Sequence, residues 1–381
     1  MDFDLTDEQR LLRDTVREFA REEVAPVAGE LDRTGAFPYE AVAKLGELGL
    51  MGIPFPQEYG GGGADTFSLA LAIEELARVD CSLAITVTAH TSLGTMPIDL
   101  WGSDEQKAEW LPQLCSGKRL AAYGLTEPEA GSDAGNTQTT ARLMDGEWVI
   151  NGTKTFITNA GTDISGCVTI TAITDRSNGR REISNILVPN GTPGYEVGER
   201  YRKMGWHASD TRPLSFEDCR VPESNLVGRR GGGFRQFMKA LEGGRIGVAA
   251  MGVGLAQGAL DEAIAYAKQR RAFGQPISKF QAIQVKIADI SAQVEAARLL
   301  TYRAALKMDR GELFLLAAAQ AKLVAGRLAV RATEEAVQIH GGYGYIEDYP
   351  VCRFYRDAKI LTIGEGTDEI QQMLIAKQLG C

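Results

Sequence analysis

Residues 145–152, Asp145-Gly146-Glu147-Trp148-Val149-Ile150-Asn151-Gly152, mark the point where a helical chain turns to strands. Asp-Gly and Asn-Gly dipeptides supply the positive φ angles that two-residue hairpin turns require, and the residues between them favour β structure. Further β-rich stretches lie at 138–141, 154–157, 168–173 and 183–188, and Asn190-Gly191 reads as another turn of the same class. The spacing predicts a compact antiparallel β domain over residues 119–231, closed near Gly231-Gly232-Gly233.

On either side the hydrophobic period is helical. Thr6 and Gln9 form a capping-box pattern, and Leu11, Leu12, Val16, Phe19 and Ala20 form an apolar stripe that Pro26 should stop. Helical patterns follow at 40–50, 67–79, 82–101 and 104–114, with a glycine-rich loop at 59–63. Beyond the β region, Ile283, Ile287, Ile290, Val294, Ala297 and Ala304 share one helix face, and 314–340 reads as a second long helix. Gly247, Gly252, Gly254 and Gly258 within one helix predict close backbone approach to neighbours. Gly252-Val253-Gly254 follows no strand, which excludes a dinucleotide-binding fingerprint. The reading is an α+β chain: an N-terminal α-helical domain (1–118), a central antiparallel β domain (119–231) and a C-terminal four-helix-bundle domain (232–381).

A net charge of −9 over 381 residues argues against a nucleic-acid or anionic-membrane binder. No run of apolar residues is long enough to span a bilayer, and acidic Asp2 and Asp4 do not suit an export signal. The six cysteines lack metal or redox spacing and read as reduced thiols. A cytoplasmic location is the default expectation. Three histidines, His90, His207 and His340, show no ligand spacing, so no metal is expected. His340 and His207 read as structural, whereas His90 is equally suited to lining a pocket.

The chemistry concentrates in residues 363–371, Ile363-Gly364-Glu365-Gly366-Thr367-Asp368-Glu369-Ile370-Gln371. Glu365 stands between two glycines at a helix entry, with Thr367 as N-cap. A carboxylate screened from water there gains basicity. Two further motifs precede it: Gly124-Leu125-Thr126-Glu127-Pro128-Glu129-Ala130-Gly131-Ser132-Asp133-Ala134-Gly135, and Gln338-Ile339-His340-Gly341-Gly342-Tyr343-Gly344-Tyr345 with Asp348, Arg353 and Asp357 after it.

In this order, over nearly the whole chain, these motifs resemble the acyl-CoA dehydrogenase family of flavoenzymes. The resemblance implies FAD as cofactor, an acyl-CoA substrate oxidised to a trans-2-enoyl thioester, electron-transfer flavoprotein as acceptor, and a homotetramer. It implies Glu365 as catalytic base; relatives that carry the base on an earlier helix place it where this chain has Gly244. Tyr123, Leu125, Thr126 and Ser132 match flavin-lining positions, as do Phe156, Ile157 and Thr158, with Phe156 where relatives often have tryptophan. Arg270, Phe273, Gln281, Gln338 and Gly342 match cofactor-binding positions, of which Arg270 and the Gln338–Gly342 loop reach the FAD of a neighbouring subunit, and Thr367 and Glu369 match contacts beside the base. Ser132, Glu242, Arg245 and Gly366 match substrate-binding positions, with Glu242 where aspartate is usual. Gly364 stands where many relatives have tyrosine, which should widen the pocket.

The reading left open beside this one is an acyl-thioester oxidase, or a dehydrogenase acting on an acyl-carrier-protein thioester. Oxidase relatives carry a long C-terminal extension that this sequence lacks. No lysine or arginine occurs in 81–101, so that wall offers no cation for a dicarboxylic acyl tail. By the resemblance, a late Glu365 with Gly244 and Gly364 fits short or medium straight chains best, and branched or aromatic acyl groups stay open because Gly364 adds room.

Overall fold

The structure, a computed structural model, describes residues 4–176 and 181–381; Asp2 lies outside them. The helices α1 (Asp7–Phe19), α2 (Ala25–Thr34), α3 (Tyr39–Glu47), α4 (Thr66–Ala77), α5 (Cys81–Thr88), α6 (Met96–Trp101) and α7 (Asp104–Cys115) come first. Strands β1 (Leu120–Gly124), β2 (Thr140–Met144), β3 (Glu147–Thr158), β4 (Ser165–Asp175), β5 (Glu182–Pro189), β6 (Tyr195–Val197), β7 (Thr211–Pro222) and β8 (Leu226–Val227) follow. The chain then returns to helix with α8 (Gly233–Gln269), the ribbon β9 (Arg271–Ala272) and β10 (Gln275–Pro276), α9 (Gln281–Asp309), α10 (Leu315–His340), α11 (Pro350–Ala358) and α12 (Asp368–Gln378). The expected α+β order, helical then β then helical, is the observed one.

The capping box of α1 forms: Gln9 N–H donates to Thr6 Oγ1 at 3.2 Å, and Thr6 N–H donates to Gln9 Oε1 at 3.0 Å. Val16, Phe19 and Ala20 are buried, but Leu11 is 70% exposed. It points about 100° around the axis from Leu12, which packs against the core. Pro26 does not end this segment as expected. A π-helical turn, Ala20–Val24, leads into α2, and Pro26 falls in the first turn of α2, where its missing N–H costs nothing.

The sheet has the strand order β6-β7-β3-β2-β4-β5-β8, with β1 also paired to β4. It is antiparallel except where β1 and β2 run parallel to β4. Asp145 and Gly146, with φ of 52° and 82°, make the β2–β3 hairpin as the sequence predicts. Asn151-Gly152 does not turn the chain; it lies inside β3. There Asn151 exchanges hydrogen bonds with Asp218 on β7 (3.1 and 2.9 Å), and Gly152 sits at a bulge. A Cβ on Gly152 would lie 2.6 Å from Thr139 Oγ1, so glycine is required there by close packing. Asn190-Gly191 is a turn but not a hairpin, because β5 already pairs with β4 and β8 while β6 pairs with β7.

One hydrophobic cluster joins the N-terminal and C-terminal helices, from Val16 to Leu361. Its axis is α8, which packs against α10 and α9 and, from the N-terminal segment, α4. The expected glycine approaches are present. A Cβ at Gly254 would collide with the Glu74 carbonyl of α4, at Gly258 with the carbonyl of Arg78, and at Gly252 it would lie 2.8 Å from the Ala325 carbonyl of α10. Buried Glu74 also accepts from Arg298 Nε (2.8 Å) and Tyr302 OH (2.9 Å), tying α4 to α9. Gly254→Ala should therefore destabilise the protein by about 1–3 kcal/mol through overpacking. Gly29→Ala, where an added Cβ meets nothing within 4 Å, should be neutral or slightly stabilising. Urea melts of the two variants check both outcomes.

Candidate active site

The segment that carries Glu365 is held by α10. Gly326 lets the Leu361 carbonyl approach closely; a Cβ there would lie 2.7 Å from that oxygen. After the short 3-10 turn Lys359–Thr362, Gly364 N–H donates to Ile360 O at 2.8 Å. Glu365 then adopts φ 55° and Gly366 φ 90°, and Thr367 caps α12 by accepting from Ile370 N–H. Only one of the two flanking glycines is conformationally required. Gly366 has positive φ, and its Cβ would fall 2.7 Å from Gln371 Nε2; Gly364 has no positive φ, and a Cβ there would meet the Ile360 carbonyl only at ordinary contact distance, 3.6 Å. The strain rests on Glu365 itself, a non-glycine residue in the left-handed region.

The side chain of Glu365 points toward α8. Its Oε2 is sealed from solvent and has no hydrogen-bond partner among the described residues, although the residue as a whole is only half-buried. Gly244 leaves the room it occupies: a Cβ there would lie 2.8 Å from Oε2 and 3.4 Å from Leu93 Cδ2. Burial pushes the Glu365 carboxyl up to about 7, against the opposing pull of Arg245 and Lys322. Arg245 is 2% exposed, and its Nε and Nη1 find no partner among the described residues. Burial lowers its guanidinium, with Glu365 and Glu242 opposing that shift. Glu242 sits half-buried one turn earlier, with Lys239 Nζ at 3.3 Å. Lys322 of α10 is fully buried and donates to Gly366 O at 2.6 Å; Gln371 Nε2 donates to the carbonyls of Glu365 (3.1 Å) and Gly366 (3.0 Å).

Sequence reasoning missed Lys322, Gln371 and Leu93. Lys322 did leave a signal: it is a single cation on the alanine-rich face Ala318, Ala321, Ala325, Ala329 of a helix otherwise read as core.

A second group forms at the end of β1. Tyr123 is buried with its hydroxyl donating to Asn185 Oδ1 (3.1 Å), and Ile157 lies in the sheet core, so these two shape the site from beneath. Leu125 and Thr126 are half-buried in the following loop, anchored through Lys154 Nζ to Leu125 O (3.2 Å) and Thr155 N–H to Thr126 O (2.8 Å). Phe156 has φ 60° and is 64% exposed, its ring 5.1 Å from that of Tyr201. Thr158 is half-buried at the end of β3, while Gly131 and Ser132 are exposed, with nothing within 4 Å of a Cβ on Gly131. The π-helical turn Ala89–Thr95 connects the two groups: Leu93 faces Gly244, and a Cβ on Gly94 would strike Ala121 of β1.

The third group lies around the end of α10. Arg270 and Gly342 line a cleft of about 490 Å³ with Tyr266, His340, Tyr343 and Ile346. The Arg270 guanidinium sits 5.7 Å from the Tyr343 ring centroid. Gln338 is exposed one turn before Gly342, Gln281 is exposed at the start of α9, and Phe273 is 94% exposed with φ 50° against Phe280. Thr367 is engaged as a cap and Glu369 is exposed.

His90 and His207 use both ring nitrogens within the fold, whereas His340 Nε2 is sealed with no partner among the described residues. His90 is fully buried, accepts Ala121 N–H at Nδ1 (3.1 Å) and places Nε2 3.1 Å from Leu114 O, so neither nitrogen is left for a pocket; burial lowers it to about 4. His340 stacks on Tyr266 (4.2 Å) and holds Ala336 O; His207 bridges Lys203 O and the Asp32–Arg356 pair.

The donor set fits FAD. The exposed Phe156 ring beside half-buried Thr126 suits a heterocycle, and a guanidinium beside a glycine turn suits a phosphate group. The orphaned Glu365 and Arg245 atoms suit a ligand that enters between them.

Family models for the acyl-CoA dehydrogenase N-terminal, middle and C-terminal domains match residues 6–118, 122–219 and 231–380. The short-chain-specific acyl-CoA dehydrogenase of Clostridium acetobutylicum is 47% identical over the full length of both chains. The butyryl-CoA dehydrogenase structure from Megasphaera elsdenii superposes with a TM-score of 0.97 at 45% identity, covering both chains completely. A chain from the structure described as the electron transferring flavoprotein of Acidaminococcus fermentans gives 0.97 at 45% identity, covering 100% of this chain and 99% of that one. With all three domain models and full-length relatives in agreement, the chain belongs to the acyl-CoA dehydrogenase family.

Proposed function

We propose that Glu365 is the base with which this FAD-dependent acyl-CoA dehydrogenase removes the proton α to the thioester carbonyl. The observation that carries the assignment is the sealed, unpartnered Oε2 facing Gly244 beside Arg245. A carboxylate raised to about 7 by burial is matched to proton transfer near neutral pH. Bound FAD supplies the acceptor for the hydride that leaves the β carbon as the C–C double bond forms. Gly366 contributes its backbone N–H. In a planar trans peptide that N–H points opposite the Glu365 carbonyl, which Gln371 holds, so it is aimed away from α12 where a thioester oxygen gains negative charge.

Arg245 and Glu242 on α8 line the approach of the substrate. The likeness to a butyryl-CoA dehydrogenase favours short straight acyl chains on CoA. Arg270, Phe273, Gln281, Gln338 and Gly342 lie together on an exposed end of the C-terminal helices, which suits contact with the cofactor of another subunit in a homotetramer. The likeness to the Acidaminococcus chain favours electron-transfer flavoprotein as the acceptor. Among the described residues no helix is long and apolar enough to cross a membrane, and we place the enzyme in the cytoplasm.

Titration of the purified flavoprotein with acyl-CoA thioesters of graded length should bleach the visible flavin band, most readily with short chains. Glu365→Gln should retain bound flavin and slow the bleaching by about 10²–10⁴-fold; bleaching at the wild-type rate would remove Glu365 from the mechanism. Because the base works deprotonated, the bleaching rate should rise about tenfold per unit up to pH 7 and level off above it. A rate that falls over that interval contradicts the assignment. Arg270→Ala should lower the flavin-to-protein ratio at limiting FAD without altering the far-UV spectrum; an unchanged ratio would place Arg270 outside the cofactor site.

A further inference from the structure

The buried ammonium of Lys322 has no role in the arrangement described so far. It extends from α10, fully enclosed, and its hydrogen bond goes to a neutral group, the Gly366 carbonyl at 2.6 Å. That oxygen already accepts from the Gln371 side-chain amide at 3.0 Å, so a neutral donor suffices for it. Enclosing a charge is costly where an uncharged donor would serve. The charge therefore calls for a negative partner.

The charged groups that face this turn come from three helices. From α8 come Arg245 and Glu242; from α10, Lys322 and, toward α12, Arg327; from α12, Asp368 and Glu369, with Lys359 of the preceding 3-10 turn acting on Glu369. The π-helical turn contributes only apolar Leu93. Glu369 is exposed, Asp368 is already paired with Arg327 at 2.8 Å, and Glu242 has Lys239. Glu365 alone among these acids has a solvent-sealed oxygen with no cation bonded to its carboxylate among the described residues.

We propose that Lys322 is a positioning residue for Glu365: it anchors the turn through the Gly366 carbonyl and sets a second buried positive charge, beside Arg245, against the carboxylate. The proposal rests on Glu365 being the base. Its division of labour with Gln371 is specific. Gln371 fixes the two carbonyls of the turn, and so the direction of the peptide N–H groups, with no charge. Lys322 shares that anchoring and also biases the carboxylate toward its ionised form. Arg245 alone leaves Glu365 flanked by one cation on the α8 side; Lys322 supplies the other from α10. Burial lowers Lys322 to about 8, with Asp368 and Glu365 opposing the shift, so it remains charged where Glu365 ionises.

The test is the pH dependence of flavin bleaching by butyryl-CoA in the holoenzyme. Lys322→Gln keeps a donor for Gly366 and removes the charge. Its bleaching midpoint should rise by about one pH unit and its rate at pH 7 should fall about fivefold, with the rate recovering at high pH. Lys322→Arg should return the midpoint toward wild type. Gln371→Leu, which removes an uncharged donor, should slow bleaching without moving the midpoint. A wild-type midpoint in Lys322→Gln overturns the proposal, and so does loss of bound flavin in that variant, which would assign the residue to the fold. If Glu365→Gln is inert while Lys322→Gln titrates like wild type, the base assignment survives and only this inference fails.

Discussion

The close approach of α8 to its neighbours governs this molecule. Glycine at 252, 254 and 258 allows backbone to meet backbone, α8 against α10 on one side and against the α4 segment on the other. Gly247 continues the seam, where a Cβ would lie 2.7 Å from Thr88 Cγ2 of α5. Dispersion falls off so steeply that such contact is lost with a fraction of an ångström of separation. The same helix presents Gly244 and Arg245 one turn before the seam begins. Their position against Glu365 is therefore set by the packing of α8 and not by a loop.

α10 uses the same device on its other face. Gly326 admits the Leu361 carbonyl, and Lys322, one turn earlier on that face, reaches the Gly366 carbonyl. Two helices fixed to each other by small residues thus bracket the turn 363–367 from both sides. A functional group mounted on rigid elements can hold an unfavourable backbone conformation, and Glu365 does so with φ 55°. The cost of that conformation is met by the hydrogen bonds from Lys322 and Gln371 to the turn's own carbonyls.

The order of helical and β regions was legible because hydrophobic period is a local property, and so were the α8 glycine approaches and the helix entry at Thr367. The failures have a common cause in long-range packing. Asn151-Gly152 carries a strong local turn signal, but Asp218 offers the Asn151 side chain a partner across the sheet and Thr139 crowds Gly152, so the strand continues. Pro26 is a helix breaker only in a helix interior, and the π-helical turn before it moves it to a helix start. Gly364 and Gly366 look equivalent in sequence, but only Gly366 has positive φ and meets Gln371. His90 could be read as a pocket wall until Leu114 and Ala121 were seen to take both its nitrogens. Glu365 and the loop after β1 stand out by motif, whereas Lys322 needed the fold, because its partner is 44 residues away.

Two carboxylates show how the same fold treats acids differently. Glu127, at the root of the loop after β1, is buried and pairs with fully enclosed Lys154 at 2.7 Å. It also accepts from Thr137 Oγ1 and from the N–H groups of Gln138 (2.6 Å) and Thr139 (3.2 Å). Burial alone would raise it, yet Lys154 and these hydrogen bonds hold it below the ordinary carboxylate range. Every lone pair has a donor, and the result is a pin that fixes residues 125–139 against β3. Glu365 receives the reverse treatment. Its neighbours supply positive charge without a hydrogen bond to Oε2, and burial wins, carrying it to about 7. A satisfied carboxylate is a poor base, because accepting a proton means giving up its donors. A sealed oxygen without donors gives up nothing on accepting a proton, and that difference separates Glu127 from the base proposed at Glu365.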